Sequence, residues 1–600
     1  MTNKLQSPVQ SGSVPSTTMA DLLISYLREL EVEYIFGIPG GAIEPLYNAL
    51  ARSERRADGG PRAITVRHET GGAFMADGYY CQTGKIGVCC ATTGPGTTNI
   101  ITGVASAHAN HIPMLVLTGQ TALNSFGKQA FQESSCTGVN TLAILEPCTR
   151  YNTLVSHPGQ FELKLVTALM AAMGPNPGPV HLSVPIDVMN APHPDARPQY
   201  NIKQLLPSML SVESSLVGNL VDRLKQANKI VFVVGEGGRH AIGDIIIAAQ
   251  LLEADIVTTP QGKGLLSPYH PLYRGVIGFA GHQSAARALL NEEVDTVVCI
   301  GAALSEWATN AWDSSTLMNQ RLIHIDQQEH NFALTPMAGM HVRGSIAHTF
   351  ERLLAALTED EAIAARRELI VDPQPREQWS FTLDDPESFQ SNTSPIHPAR
   401  VMCELPKFFP RNTRYVAEPG NSFAWAIHYL HPYDQRIKGS RDFGSSLFKT
   451  WIEFASMGWA IGSAVGAALA LKDQPVVCIT GDGSMLMSGQ EITVAIEHNL
   501  PLIYIVLNDM ALGMVKHGQR LTGAEQIAWK IPEVDFASVA KAMGAKALRV
   551  ERASDFEQLK NFDLHNLDGP ILLDVIIDGE AVPPITKRTE ALKEMVVLGI

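Results

Sequence analysis

Apolar and polar positions alternate along most of the chain in one repeating manner. Short apolar runs are followed by longer stretches whose apolar residues recur at helical spacing, which predicts strands connected by helices. From about residue 19, strands are expected over 34–37, 63–67, 86–91, 114–118 and 180–184. Strand-helix-strand succession of this kind builds a parallel sheet wrapped by helices. The Pro-rich run 191–207 (APHPDARPQYNIKQLLP) breaks the pattern, because prolines at that density neither extend a helix nor donate to a sheet. A second block follows, with strands over 230–234, 255–258, 296–300 and 321–325 and a helix over 346–358. The polar segment 372–397 separates it from a third, with strands over 414–417, 475–480, 502–507 and 571–577.

The fold class read from this pattern is α/β, with three doubly wound parallel-sheet domains over 19–190, 208–371 and 398–580. A flexible leader is expected over 1–18 and a tail over 581–600. Length agrees, since one hydrophobic core stops growing at roughly 250 to 300 residues and this chain has 600. The net charge of -14 and the lack of any long Lys/Arg run argue against nucleic acid as a partner. No apolar run approaches the ~20 residues of a membrane span, and the first 18 residues lack the apolar stretch of a secretory signal. The eight cysteines show no CxxC pairing and sit mostly in apolar stretches, as small core residues in a reducing compartment do. A cytoplasmic protein is expected.

Chemistry concentrates at strand ends. The strand 475–480 runs into Gly481-Asp482-Gly483-Ser484, and the next strand ends at Asn508. Ligands of open α/β sheets gather at the carboxyl ends of strands. Gly481 and Gly483 let the backbone turn and approach a ligand, while a carboxylate and an amide oxygen are hard donors suited to Mg²⁺ carrying a diphosphate. Taken alone, Gly-Asp-Gly is also an ordinary strand-to-helix turn. A second candidate is Glu69, in Arg67-His68-Glu69-Thr70-Gly71-Gly72-Ala73, again between a strand and a helix.

The stretch GDGSMLMSGQEITVAIEHNLPLIYIVLND resembles the metal and diphosphate signature of thiamine-diphosphate enzymes, and is similar above all to the acetolactate synthase branch. That resemblance implies metal ligation by Asp482, Asn508 and the carbonyl of Met510, with Gly483 and Ser484 against the diphosphate and Leu512, Gly513 and Met514 lining the cofactor. It also implies that Glu69 hydrogen-bonds the aminopyrimidine of thiamine, whose tautomer deprotonates its own C2. FGIPGGAIEPLYNAL resembles the family's loop carrying Gly40 and Gly41, where bare amides face the reacting centre. ATTGPGTTN resembles its second loop and assigns Thr93, Gly94, Gly96 and Asn99 to the cofactor. The AFQE match places Gln132 beside the intermediate, and Met457 matches the residue that wedges the cofactor into its bent form. Sheets of this family pair across subunits, so a homodimer or homotetramer with active sites between subunits is implied.

Two departures stand out. The central-domain segment that reads GARFDDR in flavin-carrying relatives reads Gly301-Ala302-Ala303-Leu304-Ser305-Glu306-Trp307, which removes both arginines and argues against FAD. Gly235-Glu236-Gly237-Gly238 lacks the spacing of a dinucleotide loop. Gly518 stands where the family carries a tryptophan, and His517 beside it is a candidate for proton transfer. Without a guanidinium for a second carboxylate, the expected reaction decarboxylates a short 2-oxo acid such as pyruvate and adds the resulting enamine to an aldehyde, giving a 2-hydroxy ketone. The alternative is an acetolactate synthase joining two 2-oxo acids. A non-catalytic cofactor-binding protein would be expected to have lost Glu69, Asp482 or Asn508.

Overall fold

The computed structural model describes residues 17–585 apart from 194, 207–210, 362, 364, 366–377, 435–445 and 473, together with residue 590. Most of the expected leader and tail, and parts of both inter-domain stretches, lie outside the described residues.

Three six-stranded sheets follow one another along the chain, and every strand pair in them is parallel. The first holds β1 (Tyr34–Gly37), β2 (Arg62–Thr65), β3 (Gly87–Ala91), β4 (Met114–Gln120), β5 (Tyr151–Leu154) and β6 (Pro179–Pro185), in the order β2-β1-β3-β4-β6-β5. The second holds β7 (Ile230–Val234), β8 (Asp255–Thr258), β9 (Tyr273–Val276), β10 (Thr296–Ile300), β11 (Leu322–Asp326) and β12 (Met340–Arg343), in the order β12-β11-β10-β7-β8-β9. The third holds β13 (Arg414–Ala417), β14 (Phe448–Lys449), β15 (Val476–Gly481), β16 (Leu502–Asn508), β17 (Lys546–Val550) and β18 (Ile571–Ile576), in the order β14-β13-β15-β16-β18-β17. Central strands such as β7 and β18 are buried along their whole length, which is why they read as unbroken Val, Ile and Leu runs.

The first and third sheets share one topology, and each has a switch point between its second and third strands in spatial order. That is β1/β3 in the first and β13/β15 in the third, and loops at such points diverge to opposite faces and leave a crevice. The corresponding point of the central sheet, β7/β10, is closed by backbone contact: the Gly237 N–H donates to the Gly301 carbonyl at 2.9 Å.

The first and third sheets are joined by two helices that are buried along most of their length, Glu69–Thr83 and Trp459–Leu471. They cross so closely that a Cβ on Gly78 would lie 2.0 Å from the Ser463 carbonyl oxygen and one on Gly466 2.0 Å from that of Met75. Beside the crossing, buried Asp77 accepts from the indole N–H groups of Trp451, at 3.1 Å, and Trp459, at 2.9 Å.

Candidate active site

Parallel register explains the long interval between the two expected metal ligands. Gly481, the last residue of β15, pairs with Leu507 of β16, so the residues that follow them, Asp482 at the start of a helix and Asn508 at the end of β16, come to the same carboxyl edge of the sheet. Both are buried, 3% and 1% exposed. Asp482 Oδ1 accepts from the Gly483 N–H at 2.7 Å and Oδ2 from that of Ala511 at 3.3 Å. Burial nonetheless pushes its carboxyl up to about 6. The Asn508 amide group donates to Asp574 Oδ1 at 2.9 Å and to the Val534 carbonyl at 3.1 Å, which leaves its side-chain oxygen as the atom able to ligate. Met510 takes the left-handed conformation, φ 55°, and its carbonyl accepts from the Ile531 N–H at 3.2 Å with one lone pair remaining.

A cavity of about 420 Å³ opens above these strand ends. Asp482, Gly483, Ser484, Met457, Leu512, Gly513 and Met514 all line it, as expected from the sequence. It is lined as well by residues that the motifs did not single out, among them Asn421, Ser422, Met487 and Asp509. The signal for Asn421 was present. Gly420, at φ 116°, and Asn421 follow β13, the other strand of the switch point, just as Asp482 follows β15. Asp509 also faces the metal-binding edge, and burial followed by the charge of Asp482 raises its carboxyl to about 7.

The residues fit a magnesium diphosphate. Ser484 Oγ and Asn421 Oδ1 are buried polar atoms without a hydrogen-bond partner among the described residues, and both belong to side chains lining the cavity. Buried polar atoms left unpaired cost stability, and a phosphate oxygen is the acceptor a serine hydroxyl lacks here. Gly483 lines the cavity with no side chain of its own, so its backbone is open to a ligand there.

The remaining expected residues collect at the switch point of the first sheet. Glu69 opens the Glu69–Thr83 helix, is 8% exposed, and its Oε2 accepts from the Asn99 amide at 3.0 Å. Gly96 stands against it, since a Cβ there would lie 3.3 Å from Glu69 Oε1. Gly40 packs on Thr92, whereas Gly41 has open space around it. Thr93 Oγ1 ties this loop to the next by pairing with Gln120 Oε1 at 3.0 Å, the Gln132 carbonyl at 3.0 Å and Ser134 Oγ at 2.7 Å. Gly94, φ 66°, and Gln132, φ 60°, both hold left-handed turns there.

Within one chain these two groups stay apart. No residue of the first sheet's loops lines the cavity above Asp482. His517 is also absent from that lining. It is 1% exposed, its Nδ1 lies 3.1 Å from Arg520 Nη2, and burial and that guanidinium lower it to about 4, so it is neutral at physiological pH. His108 and His111 lie on Arg150, at 3.3 and 3.0 Å. In the central sheet, the Trp307 ring packs edge-on to Phe279, with centroids 4.6 Å apart.

Two like-wound sheets, one offering a buried carboxyl and glycine loops and the other a hard-donor pair beneath a cavity of about 420 Å³, fit a thiamine-diphosphate enzyme. Family models agree: "Thiamine pyrophosphate enzyme, N-terminal TPP binding domain" matches residues 17–139, the "central domain" 217–353 and the "C-terminal TPP binding domain" 428–575. The chain is 30% identical to the probable acetolactate synthase large subunit of Methanococcus aeolicus, over 96% of this chain and 95% of that protein. It is 28% identical to the acetolactate synthase large subunit of Haemophilus influenzae and 27% to the isozyme 3 large subunit of Escherichia coli, in each case over 96% of this chain and 98% of the other. The chain belongs to the acetolactate-synthase-like branch of the thiamine pyrophosphate enzymes. It is a carboligase whose cofactor is thiamine diphosphate, with Mg²⁺ as the partner metal.

Proposed function

We propose that the chain catalyses acetolactate-synthase-type carboligation, in which a short 2-oxo acid such as pyruvate loses CO₂ and its remaining carbon unit is joined to the carbonyl of a second 2-oxo acid. The observation carrying this reading is similarity to acetolactate synthase large subunits along nearly the whole chain, with Glu69, Asp482 and Asn508 all retained. Bound thiamine diphosphate supplies the carbon nucleophile and the electron sink. The chain's own residues do the holding. Asp482, the Asn508 side-chain oxygen and the Met510 carbonyl take the metal, Ser484 and the Gly483 backbone take phosphate oxygens, and Met457 supports the thiazolium ring. Glu69, fixed by Asn99, holds the proton exchanged with the aminopyrimidine, and the Gly41 amide and Gln132 face the carbonyl oxygen under attack.

The separation of Glu69 from the Asp482 cavity supports a site completed by a second copy of the chain, one copy contributing each group. Exposed apolar residues around the two groups fit such burial: Phe131 is 86% exposed, Met487 56% and Met457 41%.

One observation favours a second reading, an aldehyde as acceptor. Among the described residues, the cavity lining contains Trp307, Phe423 and Trp425 but no lysine or arginine to pair with a second carboxylate. Product analysis separates the two. Incubation with pyruvate alone is expected to give acetolactate as the main product. Cross-product from pyruvate plus an aldehyde, with little acetolactate, would replace the first reading by the second.

A further inference from the structure

Glu491 is 1% exposed and lies nine residues after Asp482 (491 minus 482), in the third sheet's part of the chain. Its carboxylate leaves that part entirely. Oε1 accepts from the backbone N–H of His68 at 2.9 Å and Oε2 from that of Arg67 at 3.2 Å. His68 is the N-cap of the helix whose first residue is Glu69. The contact is close, since a Cβ on Gly71 would lie 2.5 Å from Glu491 Oε1. Next to it, Arg67 Nε donates to Thr493 Oγ1 at 2.8 Å and Arg67 Nη2 meets Glu497 at 2.7 Å. A carboxylate at a helix N-terminus satisfies otherwise unpaired N–H groups and suits the helix dipole. Here it does so across two sheets, directly before the residue assigned to activate the cofactor.

We propose that Glu491 is a positioning residue for Glu69: by holding the Arg67 and His68 amides it fixes where the Glu69 carboxyl stands relative to the cofactor's aminopyrimidine. The inference rests on the reading of Glu69 given above. Burial raises the Glu491 carboxyl to about 7, against the opposing effect of the Arg67 and His68 amides. Glutamine at this position offers only one acceptor oxygen and turns an NH₂ group toward the second amide, so the helix start must shift. With the site formed between two copies, the segment that takes the metal of one site at Asp482 also sets the proton-exchanging carboxyl of the other.

The test is hydrogen-deuterium exchange at C2 of bound thiamine diphosphate, followed by quenched-flow NMR alongside kcat, KM and cofactor affinity. Glu491→Gln is expected to slow C2 exchange and kcat together by about tenfold or more, roughly 1.4 kcal/mol in barrier, with KM and cofactor affinity within about twofold of wild type. Thr493→Val, which loosens the neighbouring contact but leaves both amides paired, is expected to leave C2 exchange within about twofold. A folded, cofactor-loaded Glu491→Gln with wild-type C2 exchange would overturn the proposal, as would Thr493→Val slowing exchange equally. Should Glu491→Gln not fold, Glu491→Asp carries the same measurement, because its shorter carboxylate reaches only one amide. Glu69→Gln serves as the control. Wild-type exchange in that variant removes the Glu69 assignment itself, whereas slow exchange there with normal exchange in Glu491→Gln removes only the role of Glu491.

Discussion

Single residues carry the chemistry here through what their neighbours leave free. In the proposed site Asn508 is suited to ligate the metal because Asp574 and Val534 take both of its N–H groups and leave its side-chain oxygen for that role. Asp574→Ala is therefore expected to weaken magnesium-dependent cofactor binding about tenfold or more without touching the ligands, checked by cofactor titration at several magnesium concentrations. Glu69 is oriented by one bond from Asn99. Glu69→Gln should retain cofactor and lose about 10² to 10⁴ in kcat, and a near wild-type rate would remove its assigned role. Asp482, Asn508 and Glu69 were legible from motif and resemblance. Asn421 and Glu491 were assigned no role from sequence: Asn421 lies outside the quoted motifs and is marked only by following a switch-point strand, while Glu491 lies inside the GDG stretch but takes its meaning from a helix more than 400 residues away in sequence.

At the scale of elements, the two crossing helices share one device. Each starts on a buried carboxylate supplied by a distant part of the chain. Glu491 serves Glu69–Thr83, and Glu418 serves Trp459–Leu471 by accepting from the Gly458 and Ala460 amides at 2.7 and 3.0 Å. Their crossing depends on missing side chains. Gly78→Ala is expected to destabilise the chain by about 1 to 3 kcal/mol and lower its thermal midpoint, because the added methyl meets the Ser463 backbone, which cannot move aside. Strands were legible unevenly, and the reason is positional. The central strands appear in the sequence to within a residue or two, as unbroken apolar runs. The five left unrecognised, β5, β9, β12, β14 and β17, are all edge strands. An edge strand has a neighbour on one side only, and those such as β5 and β17 are partly exposed, so their sequences mix polar with apolar residues and carry no clear period.

For the whole molecule, the separation of Glu69 from Asp482 makes a firm prediction. Mixed Glu69→Gln and Asp482→Asn chains, each inactive alone, should recover about a quarter of the wild-type activity after dissociation and reassembly, because half of the random dimers contain one intact site of two. Sites built within single chains would recover none. Acid stability is a second property of the whole fold. His181, fully buried between Thr118 and Asn152, is lowered by burial to about 3 from an ordinary 6.5. The unfolded chain takes up that proton first as pH falls. The contribution is thus complete above pH 6.5 and lost progressively on going down toward 3. His181→Gln should flatten the stability decline over that range, measured by denaturant melts at stepped pH. Among the described residues, no helix is long and apolar enough to cross a membrane.

What the sequence determined by itself was everything local to a strand and the turn after it: the three parallel sheets, the hard donors at Asp482 and Asn508, and the glycine loops beside Glu69. Those features follow from apolar runs and turn chemistry within a few residues, and resemblance extended them to a cofactor. The tertiary structure decided what depends on pairing across long intervals. Strand register brought Asp482 and Asn508 to the same sheet edge, and helix crossing set Glu491 under the start of the Glu69 helix. Packing of Trp307 on Phe279 gave the cavity an aromatic wall. The fold also buried His517 outside that cavity, against Arg520 of its own helix, because the elements packed around a helix decide which of its faces meets a ligand.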